Sequence, residues 1–364
     1  EQSRIDEIIV TASKRETSLQ DTALSVSAIS GADLNKLGVT AYDQVLGTVP
    51  GVTVIDRGPG NSSVVFRGIG SQSYGGGNAT TTTYIDDFPL ALSSAGRGVD
   101  IKLVDMAQIE VLKGPQGTLY GQSALGGVIR YITNQPTTKK IEGGVELTHE
   151  DIASGGSGDR VQGYVNIPLS DTLAVRAVLY EFDNAGFIDN LGTGTQDQDA
   201  EEVTGGRLAL HWDISDRTAF NLLYLNQSQK AGDSGDRSAF STYTPVLNGA
   251  PTDIGPPDLE NPSFRNNIDP FVDLDFEVLN LRLGINFDNF DLAIMGATKQ
   301  REKFRPRDAG VFFGLFDDVS AIVGTDREKF EAETFEVRLV STGDGPIEWI
   351  AGVWYEKEEG GRDW

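Results

Sequence analysis

The C-terminal part of the sequence, after Pro136, alternates between apolar and polar residues. The alternation is clearest at residues 208–214, where every second residue is apolar, while Arg207, His211 and Asp213 fall on the opposite face. Successive side chains of a β-strand point to opposite faces, so this pattern predicts strands with one apolar and one polar face. We predict nine such strands: 141–149, 160–169, 172–182, 203–214, 217–228, 276–287, 290–300, 330–341 and 347–358.

The connections between these strands are alternately short and long. Short links occur at residues 170–171, 215–216, 288–289 and 343–346, and long polar stretches at 183–202, 229–275 and 301–329. A bacterial outer-membrane barrel has short periplasmic turns and long extracellular loops, whereas a soluble β-sandwich has no such requirement. The sequence therefore favours a transmembrane antiparallel β-barrel over a sandwich.

The predicted strand number, nine, is odd. Bacterial single-chain barrels have even strand numbers, and plugged transporters have about 22 strands. An edge strand without a neighbour would leave main-chain groups unpaired in the bilayer. We therefore expect that the barrel is incomplete in this chain, and that the chain is an N-terminal part of a longer protein.

The sequence before Pro136 has a different character, with irregular segments rich in Gly and Thr. Two short helices are predicted, one at Gly31–Leu37 with Ser30 as its N-cap and one at residues 41–46. This half reads as a mixed α+β domain. The predicted organisation is an extension over residues 1–15, an α+β domain over 16–136 and part of a barrel over 137–364.

Composition narrows the classes of function. A total of 30 Lys and Arg against 54 Asp and Glu gives a net charge of -24, which opposes binding to a phosphate backbone. The sequence has no cysteine and two histidines, His149 and His211, so thiolate sites are excluded and zinc has few ligands. No apolar run approaches the roughly 20 residues of a membrane-spanning helix. We expect no nucleic-acid partner, no cofactor, no metal site and no catalytic residue.

The N-terminal half contains an ordered series of motifs. Residues 5–12 are a β-prone stretch suited to pairing edge to edge with a strand of a partner protein. They are followed in order by residues 46–52 (LGTVPGV), 66–70 (FRGIG), 84–89 (YIDDFP) and 109–121 (IEVLKGPQGTLYG). Together with the barrel-like strands, this order resembles the TonB-dependent outer-membrane receptors and transporters, in which a TonB box precedes a plug domain and a β-barrel.

The resemblance implies three sets of site residues. The TonB box, which would bind TonB of the inner-membrane TonB-ExbB-ExbD complex, comprises Ile5, Asp6, Glu7, Ile8, Ile9, Val10, Thr11 and Ala12. The plug apices, at residues 71–83 and 90–98, would contact the ligand through Gln72, Tyr74, Asn78 and Arg97. Contacts between plug and barrel are expected at Arg67, Lys113 and Glu110.

Two of these expectations are more specific. Arg67 is expected to be buried against carboxylates of barrel strands beyond this sequence, because a buried guanidinium needs compensation. Lys113 stands where the family commonly has arginine, which puts bidentate pairing there in doubt. Only four residues precede Ile5, so we expect no separate signalling domain before the TonB box.

The function that the resemblance implies is TonB-dependent active transport of a scarce solute across the Gram-negative outer membrane. A ferric siderophore is the commonest substrate in the family, with cobalamin or a carbohydrate as alternatives. Two rival hypotheses are a non-transporting structural subunit of the outer membrane and a soluble all-β hydrolase with a pair of carboxylates.

The expected partners of such a transporter are TonB, the small-molecule substrate, such as a metal chelate, and outer-membrane lipid and lipopolysaccharide. Residues 183–202 carry several carboxylates and no Lys or Arg. This suggests that the loop could bind divalent cations and so bridge to lipopolysaccharide phosphates or to a ligand.

Overall fold

The computed structural model describes residues 8–15, 17–55, 58, 60, 62–70, 79–90, 100–121, 123–233, 263–264, 268–308, 323–342 and 347–363. The chain divides into two compact units, Glu1–Asn134 and Gln135–Trp364. The division lies close to the change in sequence character at Pro136. No helix in the described ranges is long and apolar enough to cross a membrane.

The described residues of the first unit form nine strands and three short helices. In chain order these are β1 (Ile9–Val10), β2 (Thr17–Ser18), β3 (Val26–Ser30), α1 (Gly31–Leu37), α2 (Tyr42–Leu46), β4 (Val52–Ile55), β5 (Ser63–Phe66), β6 (Thr81–Ile85), β7 (Phe88–Pro89), β8 (Met106–Lys113), α3 (Gly117–Tyr120) and β9 (Gly127–Thr133). Five strands form one sheet in the order β3-β8-β9-β6-β7, and β1-β2 and β4-β5 form separate pairs.

The first predicted helix is confirmed and the second is corrected by one residue. Helix α1 has the predicted bounds, and the Ser30 side chain caps it by accepting a hydrogen bond from the Asp33 N–H at 3.1 Å. Helix α2 begins at Tyr42, one residue later than predicted, because Ala41 is extended. The side chain of Gln44 accepts hydrogen bonds from the N–H groups of Thr40 and Ala41, so it supplies the cap that Ala41 lacks.

Close approach to neighbouring atoms requires a glycine at position 127. A Cβ atom added to Gly127, at the start of β9, would lie 2.6 Å from the carbonyl oxygen of Leu112 and 2.7 Å from the Phe66 ring. Only glycine fits there without displacing β8. Gly127 therefore allows β8 and β9 to lie close together. These two strands carry most of the site described below.

Eleven strands are formed by the described residues of the second unit, and nine of them make one sheet. The strands are β10 (Glu142–Asp151), β11 (Ser157–Pro168), β12 (Leu173–Asn184), β13 (Asp189–Asn190), β14 (Glu201–Ser215), β15 (Thr218–Gly232), β16 (Ser263–Phe264), β17 (Phe271–Asn286), β18 (Phe290–Asp308), β19 (Val323–Ser341) and β20 (Ile350–Asp363). The order is β10-β11-β12-β14-β15-β17-β18-β19-β20, and all neighbours are antiparallel. All nine predicted strands are confirmed as a meander.

Most strands are longer than predicted, and the largest differences lie at the long-loop ends. Strand β18 was predicted to end at residue 300 and ends at Asp308, and β19 was predicted to begin at residue 330 and begins at Val323. In these extensions both faces carry polar residues, so the alternation that marks a strand is lost. The ladder of main-chain hydrogen bonds continues regardless of side-chain polarity.

The two faces of the nine-stranded sheet are the reverse of those in a soluble sandwich. On β14 the apolar residues Leu208 and Trp212 are 44% and 42% exposed, whereas Arg207, on the opposite face, is 5% exposed. Other exposed apolar residues on the outer face include Val145, Leu147, Val165, Ile167, Leu179, Leu281, Phe335 and Val353. An apolar face turned outward and a polar face turned inward are typical of strands that cross a bilayer.

The polar inner face is stabilised by ion pairs between strands of the sheet. Arg301 and Glu328 are both buried, with Nη1 and Oε2 2.8 Å apart. Lys299 contacts Glu356 at 3.2 Å, and Arg362 contacts Asp326 at 2.5 Å. Buried charges need partners. The pairs of Lys299 and Arg301 therefore account for basic residues at alternate positions of β18.

Candidate functional site

The predicted TonB box is only partly covered by the described residues, which begin at Ile8. Ile5, Asp6 and Glu7 lie outside them. Strand β1 pairs with β2 in antiparallel register, Ile9 with Ser18 and Val10 with Thr17. Val10 and Ala12 are buried, whereas Ile8 and Ile9 are exposed. Residues 8–12 are therefore paired and partly buried.

Pairing with β2 uses only one edge of β1. The Leu19 N–H donates to the carbonyl of Ile8 at 2.8 Å, which places the Ile8 main chain on the β2 side. Successive residues of an antiparallel pair alternate in the direction of their main-chain groups. The main-chain groups of Ile9 and Thr11 therefore point to the other side, which we call the outer edge of β1.

Side chains of the sheet occupy this outer edge and the residue that follows it. Gln108 on β8 donates through Nε2 to the carbonyl of Ile9 at 3.1 Å. Glu110, also on β8, accepts a hydrogen bond from the Thr11 N–H at 2.8 Å through Oε1. The hydroxyl of Tyr120 donates to the carbonyl of Ala12 at 2.8 Å. Three side chains thus bind main-chain groups of the segment.

A buried ion pair supports these contacts. Glu110 is 0% exposed and Arg130 is 2% exposed, and their Oε2 and Nη1 atoms are 2.5 Å apart. The two residues face each other directly across β8 and β9. Arg130 Nη1 also donates to the Thr11 hydroxyl at 2.6 Å. The pair therefore holds both the main chain and the side chain of Thr11.

Electrostatics keep Arg130 charged in this buried position. Burial by itself lowers the pKa of Arg130, but the negative potential of Tyr120, Glu110 and Asp87 outweighs it and raises the pKa above its ordinary value. Asp87 lies 3.4 Å from Arg130 Nη2. The guanidinium is thus a fixed positive charge beside the segment.

Lys14 fastens the turn that follows the segment. Its side chain is buried, and Nζ lies 3.4 Å from Asp87 Oδ1. The same ammonium lies 4.9 Å from the ring centroid of Tyr84 and 4.5 Å from that of Tyr120. Cation–π contacts of this geometry stabilise a desolvated ammonium group. Residues 8–14 are therefore held by apolar burial, hydrogen bonds and charge together.

The three predicted plug–barrel contacts have different outcomes. Both carboxylate oxygens of Glu110 are engaged within the first unit by Thr11, Gln108 and Arg130, and its contact with the barrel stays a prediction. Lys113 is half-buried, and its Nζ donates to the Ser27 hydroxyl at 3.0 Å. The predicted burial of Arg67 is not seen in this chain. It is exposed, and Nη2 donates to the Ser25 hydroxyl at 2.9 Å.

The predicted ligand-contacting residues cannot be placed. Gln72, Tyr74, Asn78 and Arg97 lie outside the described residues, so their assignment to the plug apices stays a prediction.

The acidic loop between β12 and β14 uses its carboxylates internally. Asp199 accepts hydrogen bonds from the N–H groups of Phe187 and Ile188, both at 2.7 Å. Asp189 Oδ1 accepts from the Asp197 N–H at 3.1 Å. Across the described ranges, no group of three or more His, Asp or Glu side chains is arranged to hold a metal ion. These contacts do not favour the divalent-cation hypothesis for the loop.

A second segment packs against this loop. Strand β13 pairs in parallel with β16, and Asp269 accepts hydrogen bonds from Asn190 Nδ2 and from the hydroxyls of Thr193 and Thr195, at 2.9, 2.5 and 2.7 Å. Burial raises the pKa of Asp269, but these three hydrogen bonds outweigh it and lower the pKa below its ordinary value. Asp269 is therefore a structural acceptor.

Comparison with known proteins identifies a family to which this chain is similar. Residues 18–128 match the family model described as the TonB-dependent Receptor Plug Domain. The chain is 32% identical over 215 residues to the pesticin receptor of Yersinia pestis, which aligns with 56% of this chain and 29% of that protein. Residues 18–128 therefore correspond to a plug domain, and the chain, hereafter the receptor, is similar to the TonB-dependent receptors. The receptor is accordingly a protein of the Gram-negative outer membrane.

Two further similarities agree with the identification. The receptor is 30% identical over 163 residues to the vitamin B12 transporter BtuB of Vibrio vulnificus, covering 42% of this chain and 25% of that protein. Its fold matches the crystal structure of the ferric yersiniabactin uptake receptor FyuA from Yersinia pestis with a TM-score of 0.69 and 21% identity, over 93% of this chain and 50% of that chain. The nine-stranded sheet thus has the fold of part of such a receptor's barrel.

The chain spans less than a third of the length of these curated relatives, 29% and 25%, and about half of the FyuA chain, 50%. The similarity establishes the fold of this chain and the plug-domain match over residues 18–128.

Three site residues were missed by sequence reasoning, namely Gln108, Tyr120 and Arg130. A signal was present for one of them, because Arg130 is the only charged residue of β9. A lone charge in a strand that is otherwise mostly apolar indicates a buried partner, and Glu110 is the acid opposite it. Gln108 and Tyr120 carry no such signal, because their roles depend on where residues 8–12 lie.

Proposed function

We propose that the receptor takes up a scarce solute across the outer membrane, driven by TonB acting on residues 5–12. The observation that carries the proposal is the direction of the main-chain groups in the segment immediately before the plug. Ile9 and Thr11 present main-chain groups along one edge, and the plug meets that edge with side chains instead of a strand. An edge of this kind suits a partner that binds by adding a strand.

The proposed substrate class is a ferric siderophore. The solved structure most useful for comparison is a ferric yersiniabactin uptake receptor, and one curated relative is a vitamin B12 transporter. The proposal therefore keeps cobalamin and carbohydrates as outcomes of the test. It involves no covalent chemistry, because the protein binds the solute outside and moves under force from the inner membrane. It also distinguishes the receptor from a structural subunit, which has no use for a strand edge of this kind.

The test compares uptake in a strain that lacks the receptor with uptake in the same strain carrying it. Radioactive iron chelated by a siderophore, labelled cobalamin and a labelled oligosaccharide are offered separately, with and without an uncoupler of the proton-motive force. We expect receptor-dependent uptake of the iron chelate that the uncoupler abolishes. If none of the three is taken up in a receptor-dependent and uncoupler-sensitive way, the proposal is wrong.

Induction narrows the substrate further. The receptor should be produced in larger amounts when cells are limited for the solute that it imports. We expect iron limitation to induce the receptor. Induction by cobalamin or sugar limitation instead would mean that the substrate is cobalamin or a carbohydrate, with the same TonB-dependent mechanism.

A further inference from the structure

We infer that the chain joining the two compact units is fastened at both ends, by Asp105 in the first unit and by Asn166 in the second. Gln135 and Pro136 lie between the two fastened points. This stiff joint of two residues limits how far the first unit can be displaced when a load is applied to it. The fastening requires neither TonB nor a particular solute, so it goes beyond the proposed function.

Asn166, on β11, binds the main chain of the joining segment three times. Its Oδ1 accepts a hydrogen bond from the Thr137 N–H at 2.9 Å. Its Nδ2 donates to the carbonyls of Thr137 and Lys140, both at 2.8 Å. Asn166 is 0% exposed, so water does not compete for these bonds. The buried amide therefore holds residues 137–140 against the sheet.

The three contacts also determine which way the amide of Asn166 points. With oxygen and nitrogen exchanged, an NH2 group would face the Thr137 N–H and an oxygen would face two carbonyls. The observed orientation satisfies all three main-chain groups. An aspartate has nearly the same shape but no donor when ionised, so it would repel both carbonyls.

Charged side chains add to this attachment where β10 begins. Glu142 stands directly opposite Asn166 in the β10-β11 ladder. Its Oε2 lies 2.7 Å from Lys140 Nζ, and its Oε1 lies 3.0 Å from Nη1 of Arg176 on β12. The Lys140 side chain is 67% exposed, and exposed pairs contribute little. The buried amide of Asn166 is therefore the main attachment of the segment.

The other end of the joining chain is fastened by Asp105. The Asn134 N–H donates to the Asp105 carbonyl at 3.3 Å, and Asn134 Nδ2 donates to the Asp105 carboxylate at 2.8 Å. Thr133, the last residue of β9, is held by Asp86, whose carboxylate accepts from the Thr133 N–H at 2.9 Å. The first unit therefore holds the chain up to Asn134.

Gln135 and Pro136 are stiff as well as short. The pyrrolidine ring fixes φ of Pro136, and its steric contact with the preceding residue keeps Gln135 extended. Two residues span at most about 7 Å, whereas residues 135–141 would span at most about 25 Å if the segment came off the sheet. Loss of the Asn166 bonds therefore lengthens the connection by up to about 18 Å.

The experiment measures tryptic cleavage after Lys139 and Lys140 in the natural protein in detergent. A protease must draw several residues of extended chain into its cleft, so cleavage requires residues 137–141 to leave the sheet. Asn166→Ala removes all three bonds. One intramolecular hydrogen bond contributes a factor of roughly 5, so we expect this variant to be cut at least about 10-fold faster than the parent.

Two variants control for effects unrelated to the attachment. Thr137→Val removes the hydroxyl that the Lys139 N–H contacts at 3.2 Å and keeps the main chain that Asn166 binds. Asn221→Ala changes an asparagine on β15 whose side chain bonds to His211 at 2.8 Å. Both variants should resist trypsin like the parent.

Asn166→Asp separates the three hydrogen bonds from the general stability of the sheet. At neutral pH the introduced carboxylate should release the segment. In acid the protonated carboxyl again accepts from the Thr137 N–H and donates to one carbonyl, so protection should return. Hydrogen exchange of a peptide covering residues 137–141, corrected for intrinsic rates, measures the recovery. Asn166→Ala should show none.

The limit on displacement is measured in cells by the entry of a large antibiotic, with and without an uncoupler of the proton-motive force. Asn166→Ala should admit more antibiotic than the parent, and only without the uncoupler, because a longer connection lets a load move the first unit farther. This measurement rests on the proposed function. Uncoupler-sensitive uptake of the labelled solute by the same cells checks that function separately.

The outcomes are distinct. Asn166→Ala as resistant to trypsin as the parent, or Asn166→Asp without recovery in acid, would overturn the fastening. Faster cleavage without greater antibiotic entry, in cells whose solute uptake is uncoupler-sensitive, would overturn the limit on displacement. Faster cleavage with energy-dependent entry supports both. If solute uptake is insensitive to the uncoupler, the proposed function is wrong, and the cleavage and exchange results decide the fastening.

Discussion

The N–H of Thr11 donates a hydrogen bond of 2.8 Å to the carboxylate of Glu110, a residue 99 positions later in the chain. The contact joins the segment proposed to meet TonB with the central strand pair of the plug sheet. Arg130 donates charge-assisted hydrogen bonds to both residues, to the hydroxyl of Thr11 and to the carboxylate of Glu110. Glu110 and Arg130, the two residues that hold Thr11, are both buried.

The ion pair should be essential to the stability of the plug. We expect Glu110→Gln to destabilise the plug by about 3–5 kcal/mol, because it leaves the buried guanidinium of Arg130 without its counter-charge. Hydrogen exchange of the main-chain amides of β8 and β9 measures the loss. The double variant Glu110→Gln/Arg130→Met removes the orphaned charge and should recover a large part of the protection. Protection equal to the parent in Glu110→Gln alone would show that the pair is dispensable.

The outward face of the barrel strands gives a second prediction. Leu208→Arg places a charge on the apolar face of β14 and should destabilise the protein in lipid by up to about 4 kcal/mol, depending on its depth in the bilayer. Thr204→Arg, on the same face of the same strand but nearer the long loop, is the matched control and should change stability little. Urea unfolding in phospholipid vesicles measures both. A soluble sandwich would tolerate the two substitutions equally.

The contact of Arg67 with barrel carboxylates remains a prediction. Arg67 is exposed in this chain. Arg67→Ala should loosen the plug, which would appear as faster hydrogen exchange of the plug and greater permeability of cells to large antibiotics. Ser25→Ala removes the hydroxyl that Arg67 contacts here, at 2.9 Å, and is the control for that local bond. If Arg67→Ala behaves like Ser25→Ala, Arg67 has only this local role.

Asp269 should stabilise the loop between β12 and β14 in a pH-dependent way. Its folded pKa is lowered, so its stabilising contribution is present above the pKa of the unfolded chain and is lost as the pH falls through the folded pKa. The difference in hydrogen-exchange protection of residues 190–195 between the parent and Asp269→Asn, corrected for intrinsic rates, should be largest at neutral pH. It should shrink in acid below the ordinary aspartate range. A difference that does not change with pH would contradict the assignment.

Sequence reasoning succeeded where one physical pattern dominates. Each of the nine long strands has one apolar and one polar face. Neighbouring residues such as Arg207 and Leu208 therefore show directly which positions face which side. It failed at the loop ends, as on β18 beyond residue 300, because both faces there are polar and main-chain pairing alone continues the strand. It also missed β13 and β16, two-residue strands whose pairing joins distant parts of the chain.

The candidate site was predictable as a segment but not as a set of contacts. The β-prone sequence of residues 5–12 identified the stretch, and the resemblance supplied its partner. Docking of Ile9 and Thr11 on Gln108 and Glu110 depends on the packing of β1 against β8, which no local pattern encodes. For the same reason the sequence did not indicate that Glu110 pairs with Arg130 on the neighbouring strand.

The decisive prediction concerns the outer edge of β1. Ile9→Pro should abolish uptake while binding of the solute from outside stays nearly intact. Proline removes the Ile9 N–H, which lies on the edge where Gln108 reaches the Ile9 carbonyl, and it also fixes φ. Pairing with β2 uses the groups of Ile8 and Val10 and should persist.

The control for this prediction is Ile9→Val, which keeps the main-chain donor and the β propensity and should transport like the parent. Ile9 is exposed, so neither substitution removes a buried side chain from the plug. Uptake of the labelled iron chelate and its binding to whole energy-depleted cells are measured side by side for the three proteins. If Ile9→Pro transports as well as the parent, no strand adds at this edge. Residues 8–12 would then be only the leading strand of the plug, and the structural-subunit hypothesis would gain.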